Sequence, residues 1–251
     1  MHKAGAGKQP RLSPLGSLLN WIYPPRCMLC EDLLDISGPK WICGKCSEIV
    51  GPIMGETCPK CGQPSKSSDI YEGACADCFG RDLKFDRNVS VFVYEEPVRE
   101  MIHRFKYHGR PRYAYGFAQL TVNRLGTDFF KNTDALVPVP MYAAKRRKRG
   151  YDQSLRYASA LSELTGVPVC ECLVRVKDTK PQSGLTPAER RHNINDAFIV
   201  DKKLQISLKR LMIIDDIYTT GETISACAYA LMQGGASEAA GLTLSIAAKN
   251  V

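Results

Sequence analysis

Eight of the eleven cysteines in this chain fall into four Cys-x-x-Cys pairs: Cys27/Cys30, Cys43/Cys46, Cys58/Cys61 and Cys75/Cys78. Two thiolates on one tight turn can reach a single ion, and two such turns complete a tetrahedral four-sulfur site. Twelve residues separate the first pair from the second, and thirteen separate the third from the fourth. Redox Cys-x-x-Cys motifs do not come in fours, and a chain of cytosolic type uses cysteine for metal rather than for disulfides. The pattern predicts two structural zinc sites. Each ion can be held by two neighbouring turns, as two ribbons, or the turns can cross-brace, first with third and second with fourth. Gly44 and Gly62 stand inside or just after the turns, as knuckle geometry prefers. The residues between the turns are few and polar, so zinc is expected to provide most of this module's folding free energy. Cys170, Cys172 and Cys227 lie on apolar stretches further on and read as small core residues.

Ser13-Pro14 reads as a helix start, with Leu15, Leu18, Leu19 and Ile22 on one face and Pro24-Pro25 as the stop. No apolar run approaches the ~20 residues that cross a bilayer. The first twenty residues hold no apolar signal core, so the expected compartment is cytoplasmic. With 44% apolar and 24% charged residues, 251 residues suit one sizeable domain plus a small module. The net charge of +8 is unevenly placed. Residues 1–82 balance nine basic against nine acidic side chains. Residues 83–251 hold the excess, concentrated at 99–112, in "KRRKR" at 145–149, and at 174–192. Three basic segments in one domain favour an anionic ligand, either a polyphosphate or nucleic acid.

From about Phe85 the pattern alternates. Strands are expected at 89–94, 134–140, 167–176, 197–200, 210–215 and 241–248, and helices at 96–107, 113–131, 151–165 and 222–233. The segment around 145–149 reads as a basic loop, and 177–193 as a long polar one. Alternation of this kind implies an α/β fold: a mainly parallel sheet with helices on both faces, binding ligands beyond the carboxyl ends of its strands.

Leu211–Thr223 reads "LMIIDDIYTTGET". An apolar strand runs into Asp215 and Asp216, and a loop of Thr219, Thr220, Gly221 and Thr223 then opens a helix. Backbone N–H groups at a helix start attract anions, Gly221 permits close approach, and the threonine hydroxyls add donors. The loop suits a phosphate, and the carboxylates suit ribose hydroxyls or a divalent cation touching them. A sugar phosphate spans both. The stretch resembles the thirteen-residue signature of type I phosphoribosyltransferases, which bind phosphoribosyl pyrophosphate (PRPP). That resemblance implies ribose and Mg²⁺ contacts for Asp215 and Asp216. It implies a 5′-phosphate site lined by Tyr218, Thr219, Thr220, Gly221, Glu222 and Thr223.

"NWIYPPRCMLC", "VPVPMYAAKRRKRGYDQS" and "DTKPQSGLTPAERRHNINDAF" extend the likeness. Together with the cysteine turns they resemble the ComF family, which joins a double zinc ribbon to a type I phosphoribosyltransferase domain. The resemblance covers nearly all of residues 18–251. It implies a tail at 1–17, the ribbons at 18–84 and the phosphoribosyltransferase-like domain at 85–251. It makes Arg149-Gly150-Tyr151 part of the pyrophosphate-side loop, with Asp152 where the family more often has Asn. It assigns Gln182, Leu185, Arg190 and Asn193 to a loop closing over PRPP, with Arg149 and Arg190 as pyrophosphate contacts. Two classes of function follow. One is Mg²⁺-dependent transfer of phosphoribosyl to an unidentified acceptor. The other is a PRPP-binding accessory role in natural competence, with single-stranded DNA and a DNA-translocating ATPase as partners.

Overall fold

The computed structural model describes residues 24–35, 41–176, 197–201 and 209–247. The helix expected after Ser13 and the closing loop with Gln182, Leu185, Arg190 and Asn193 lie outside them. The chain divides into two compact units, Met1–Ile49 and Val50–Val251.

In the first unit, the turn at Cys27–Cys30 is closed by the Glu31 N–H donating to Cys27 O at 3.0 Å and the Cys27 N–H to Asp32 O at 2.9 Å. The position after the turn needs a left-handed backbone, and Glu31 supplies it at φ 62°. Gly44 was expected to serve such a turn but instead opens helix α1 (Gly44–Ile49), directly after Cys43. Met28, Leu34 and Ile42 form the small apolar interior with Cys27 and Cys46.

The second unit begins with the other four-cysteine module. Its first turn repeats the knuckle: the Gly62 N–H donates to Cys58 O at 2.9 Å and the Cys58 N–H to Gln63 O at 2.8 Å. Here the left-handed residue is Gly62 at φ 76°, and its freedom is needed twice. A Cβ there would stand 2.6 Å from Asn88 O, on the first strand of the main sheet. Two short strands, β1 (Ile70–Tyr71) and β2 (Ala74–Cys75), pair antiparallel across the turn that leads to the last two cysteines.

The main sheet is parallel throughout, in the order β3-β8-β7-β4. It is built from β3 (Asn88–Val93), β4 (Ala135–Pro138), β7 (Arg210–Tyr218) and β8 (Glu238–Ile246). Helices α2 (Val98–Tyr107) and α3 (Tyr113–Leu125) follow β3. The helix expected to reach residue 131 stops at Gly126, a left-handed glycine that no helix interior accommodates, and a 3₁₀ turn covers Thr127–Phe130. The segment read as a basic loop is a helix, α4 (Ala143–Arg149). Two alanines and a run of lysine and arginine favour helix, and cations near its carboxyl end offset the dipole. Helix α5 (Gln153–Thr165) packs on β4, β7 and α3; α6 (Glu222–Gln233) packs on β7 and β8. Strand alternation explains the two layers: Leu211 and Ile213 share a buried cluster with Ala226, Cys227 and Leu231 of α6, while Met212 and Ile214 are directed the other way. Across the α3–α5 contact, Thr121 Oγ1 and Tyr157 Oη lie 2.6 Å apart, fully buried.

Two strand expectations need correction. Residues 167–176 do not form one strand of the sheet. Leu136 exchanges bonds with Pro168 O and the Cys170 N–H, both 2.8 Å, and the chain then leaves, because β4 is only four residues long. Its continuation β5 (Leu173–Arg175) pairs antiparallel with β6 (Phe198–Val200), burying Cys172, Leu173, Ala197 and Phe198. β7 does not end at Asp215 but runs to Tyr218, because the parallel strand β8 stays paired with it as far as Tyr218↔Ile246. On the other flank, pairing stops at Pro138↔Ile214. The two aspartates therefore stand where β7 has lost one neighbour and kept the other.

Candidate functional site

The eight paired cysteines converge as two separate sets, Cys27/Cys30/Cys43/Cys46 and Cys58/Cys61/Cys75/Cys78, each with its sulfur atoms within 4.8 Å of one another. Neighbouring turns share a site, so the cross-braced alternative is excluded. The Cys30 and Cys43 sulfurs are 3.8 Å apart, and those of Cys61 and Cys75 are 3.7 Å apart. A disulfide requires about 2.05 Å. A tetrahedral zinc with Zn–S bonds of about 2.3 Å separates its sulfurs by about 3.8 Å, so both sets fit the ion. Backbone N–H groups support the thiolates: Cys43 N donates to Cys27 Sγ at 3.4 Å and Cys75 N to Cys58 Sγ at 3.3 Å. Contact with Cys78 and burial both push the Cys61 thiol up, the response of crowded thiols that a divalent cation reverses. Cys172 and Cys227 are fully buried core residues, as expected, and Cys170 is half-buried.

The second centre is the carboxylate pair on β7. Asp215 Oδ1 accepts from Ser154 Oγ at 3.0 Å, in the first turn of α5, and from the Asp216 N–H at 2.9 Å. Burial, then the adjacent Asp216 carboxylate, push the Asp215 carboxyl up to about 7. Asp216 Oδ1 is paired with Lys106 Nζ at 2.9 Å, both side chains largely buried. Burial works against the lysine's charge, but Asp216, with Asp215 behind it, more than restores it, so its pKa lies above the ordinary value. One lysine thus stands against two acids. That leaves an electrostatic demand which a divalent cation or hydroxyl donors can meet, and carboxylate oxygens are suitable ligands for Mg²⁺.

Beside this pair lies a cavity of about 360 Å³ lined by Lys106, Tyr107, Lys145 and Arg149. The Arg149 guanidinium stacks 4.8 Å over the Tyr107 ring, and its Nη1 donates to Gln153 Oε1. The Tyr151 hydroxyl donates to Phe105 O, tying the Arg-Gly-Tyr segment to α2. Asp152 fastens the loop from the other side. It caps α5 by accepting from the Leu155 N–H at 3.1 Å, and its second oxygen accepts from the Met141 N–H at 3.0 Å. A carboxylate here accepts two N–H bonds at once, which explains how the chain uses Asp where an amide was expected.

The loop after β7 leads into α6, whose N-cap is Gly221 at φ 79° and which has no side-chain cap. The first N–H groups of the helix therefore lack acceptors within it. Glycine is required twice over: a Cβ would stand 2.2 Å from the hydroxyl of Tyr218, which is buried beneath the loop. The Glu222 carboxylate is paired with Arg81.

The arrangement brings together Asp215, Asp216 and Arg149 and the start of the Tyr218–Thr223 loop, while Arg190 lies outside the described residues. Three residues escaped the sequence reading. Lys106 was present only as part of the charge excess at 99–112, and nothing local marked it as the partner of Asp216. Ser154 follows the Arg-Gly-Tyr motif, but its target is 61 positions away. Arg81 sits in a charge-balanced segment with no signal.

Comparisons with known proteins agree with this architecture. Residues 18–79 match the double zinc ribbon domain family. The chain is 28% identical to Competence protein F of Haemophilus influenzae over 219 residues, covering 85% of this chain and 93% of that protein. It is 28% identical to DNA utilization protein YhgH of Escherichia coli K12 with the same coverage. It is 26% identical to Competence protein ComFC of Bacillus subtilis, covering 83% of this chain and 89% of that one. With a double ribbon carrying two four-sulfur sites, joined to a parallel α/β sheet, this chain is similar over most of its length to competence proteins F and ComFC.

Proposed function

We propose that this protein binds PRPP with Mg²⁺ in the α/β domain and transfers its phosphoribosyl group to an acceptor. The observation that carries the reading is the continuity of three features: the Asp215/Asp216 pair held by Ser154 and Lys106, the uncapped start of α6, and the cavity lined by Lys106, Lys145 and Arg149. Each suits one part of the ligand. Asp215 and Asp216 accept from the ribose hydroxyls. The N–H groups after Gly221, with Thr219, Thr220 and Thr223, donate to the 5′-phosphate. Lys106, Lys145 and Arg149 face the charge that accumulates on departing pyrophosphate, and Arg190 would add to them from the segment beyond. Mg²⁺, when bound, neutralises pyrophosphate charge. Transfer through an oxocarbenium-like state needs charges placed in advance rather than a covalent intermediate, and these residues supply that placement. Calorimetry with PRPP and Mg²⁺ tests the reading: Asp216→Asn is expected to weaken binding at least about tenfold, and equal affinity would refute it.

A second reading, PRPP binding without transfer in a protein that handles single-stranded DNA, draws on the relatives' names and on one surface. Tyr107 is 61% exposed and lines the cavity with Lys106, Lys145 and Arg149, while Arg146 and Arg147 of α4 are exposed as well. An exposed ring next to cations suits base stacking and backbone contact. Of the other tyrosines near the basic segments, Tyr113 is buried and Tyr151 is bonded to Phe105, so both serve packing. Pyrophosphate release from PRPP against a panel of bases, amines and single-stranded DNA separates the two. Acceptor-dependent release supports the transferase, and binding without turnover supports the accessory role.

A further inference from the structure

The underside of the phosphate loop is made by the second zinc ribbon. Arg81 stands three residues beyond Cys78, the last sulfur of that ribbon. Its backbone N–H donates to Cys78 O at 3.1 Å, and its Nη1 donates to Asp77 O at 3.4 Å. Its Nη2 pairs with the Glu222 carboxylate, on the first residue of α6. One guanidinium thus joins a metal knuckle to the start of the anion-binding helix. Two bonds run beside it: the Lys84 N–H to Ser225 Oγ and Asn88 Nδ2 to Cys61 O, each 3.0 Å. Between ribbon and loop is a cavity of about 10 Å³, close to one water in size, with Cys61, Cys78 and Arg81 on one wall and Tyr218, Thr219 and Thr220 on the other. The Tyr218 hydroxyl is buried there with no hydrogen-bond partner in the protein.

We propose that Arg81 is a positioning residue for the phosphate loop, coupling the zinc-bound state of the second ribbon to the binding competence of residues 219–223. The identity of the ligand rests on the PRPP reading; the coupling does not. Two physical effects act together. Zinc holds the Cys75–Cys78 turn from which Arg81 projects, so metal loss frees the arginine. An unpaired Glu222 then places a carboxylate beside an anion site, where it repels phosphate as well as loosening the helix start. In the bound state Arg81 cancels that charge and fixes the first turn of α6.

The test uses the full-length protein and Arg81→Met, Arg81→Lys and Cys78→Ser. The readouts are zinc content, melting temperature, hydrogen exchange of amides 219–226, and calorimetry with PRPP and Mg²⁺. Arg81→Met is expected to keep the wild-type zinc content and melting temperature. It should speed exchange at 219–226 and weaken PRPP binding, each by about five- to tenfold, the worth of one partly exposed charged pair plus the repulsion it relieves. Arg81→Lys should recover most of the affinity, since it restores the charge against Glu222. Cys78→Ser should lose one zinc and show the same loosening of 219–226. Exchange at 219–226 that stays at the wild-type rate in both Arg81→Met and Cys78→Ser overturns the coupling. If the wild type binds no PRPP, the proposed function falls, and the exchange pattern alone decides the coupling.

Discussion

Asp215→Asn should make the protein more stable, by an amount that grows as pH rises from about 4 to 7 and is full above that. The Asp215 carboxyl is pushed to about 7 in the folded chain by burial and by Asp216, against 3.8 for a free side chain. The folded state therefore holds this proton more tightly than the unfolded state. Stability contributed by the group is fully present below about pH 4, declines as pH rises towards 7, and is lost above it. A shift of about three pH units corresponds to ~4 kcal/mol. Asp215 keeps part of its surface in solvent, which screens the charge, so about half of that, ~2 kcal/mol, is the expected penalty at pH 8. Asparagine removes the charge and keeps the shape. Its carbonyl can still accept from Ser154 Oγ and the Asp216 N–H, which both reach one oxygen in the native chain. Urea denaturation without added Mg²⁺ should show a gain of ~2 kcal/mol at pH 8, or about 4–8 °C in melting temperature, shrinking below ~1 kcal/mol at pH 5. A variant no more stable than wild type at pH 8, or one whose gain is the same at both pH values, would refute the reasoning. Under the proposed function, that cost in stability is borne for the ligand the carboxylate accepts.

Three further outcomes follow from the same geometry. Elemental analysis should find about two zinc ions per chain, one for each four-sulfur set, and a single ion would contradict the sulfur geometry. Lys106→Met strips Asp216 of its cation and should cost ~3 kcal/mol at pH 8. The loss should diminish at pH 5, where Asp215 holds its proton and no longer adds a second negative charge beside the lysine's place, and denaturation showing a pH-independent loss would count against the pairing. Gly221→Ala combines a left-handed backbone with a clash against Tyr218 and should destabilise by ~3 kcal/mol; an unchanged urea midpoint would mean the loop is not held as described.

Much of this was legible because the signals are local. Cys-x-x-Cys spacing marks a metal turn whatever surrounds it. The same holds for β7 and its loop, where an apolar run, two acids and a glycine before α6 stand in one stretch of thirteen residues. Helix α6 was read with its observed bounds, since Gly221 precedes it and Gly234 follows. Helix α4 was missed because a run of five cations looks like a solvated loop, and its helix-forming propensity was outweighed by its charge. The true ends of β7 and β8 were missed because each is set by the other's register rather than by its own residues.

The sequence by itself determined the eight cysteines of the two four-sulfur sets, the alternation that builds a parallel sheet, and the acid pair and threonine-glycine loop at one strand end. All of these depend on spacing within a few residues. Only the tertiary structure decided which cysteine turns share an ion, that Lys106 and Ser154 hold the acids, and that Arg81 reaches Glu222 across 141 positions of chain. Those contacts depend on which strands lie side by side and how far each crossover carries the chain. No short window of sequence contains that information, because the burial that favours it is shared among elements far apart.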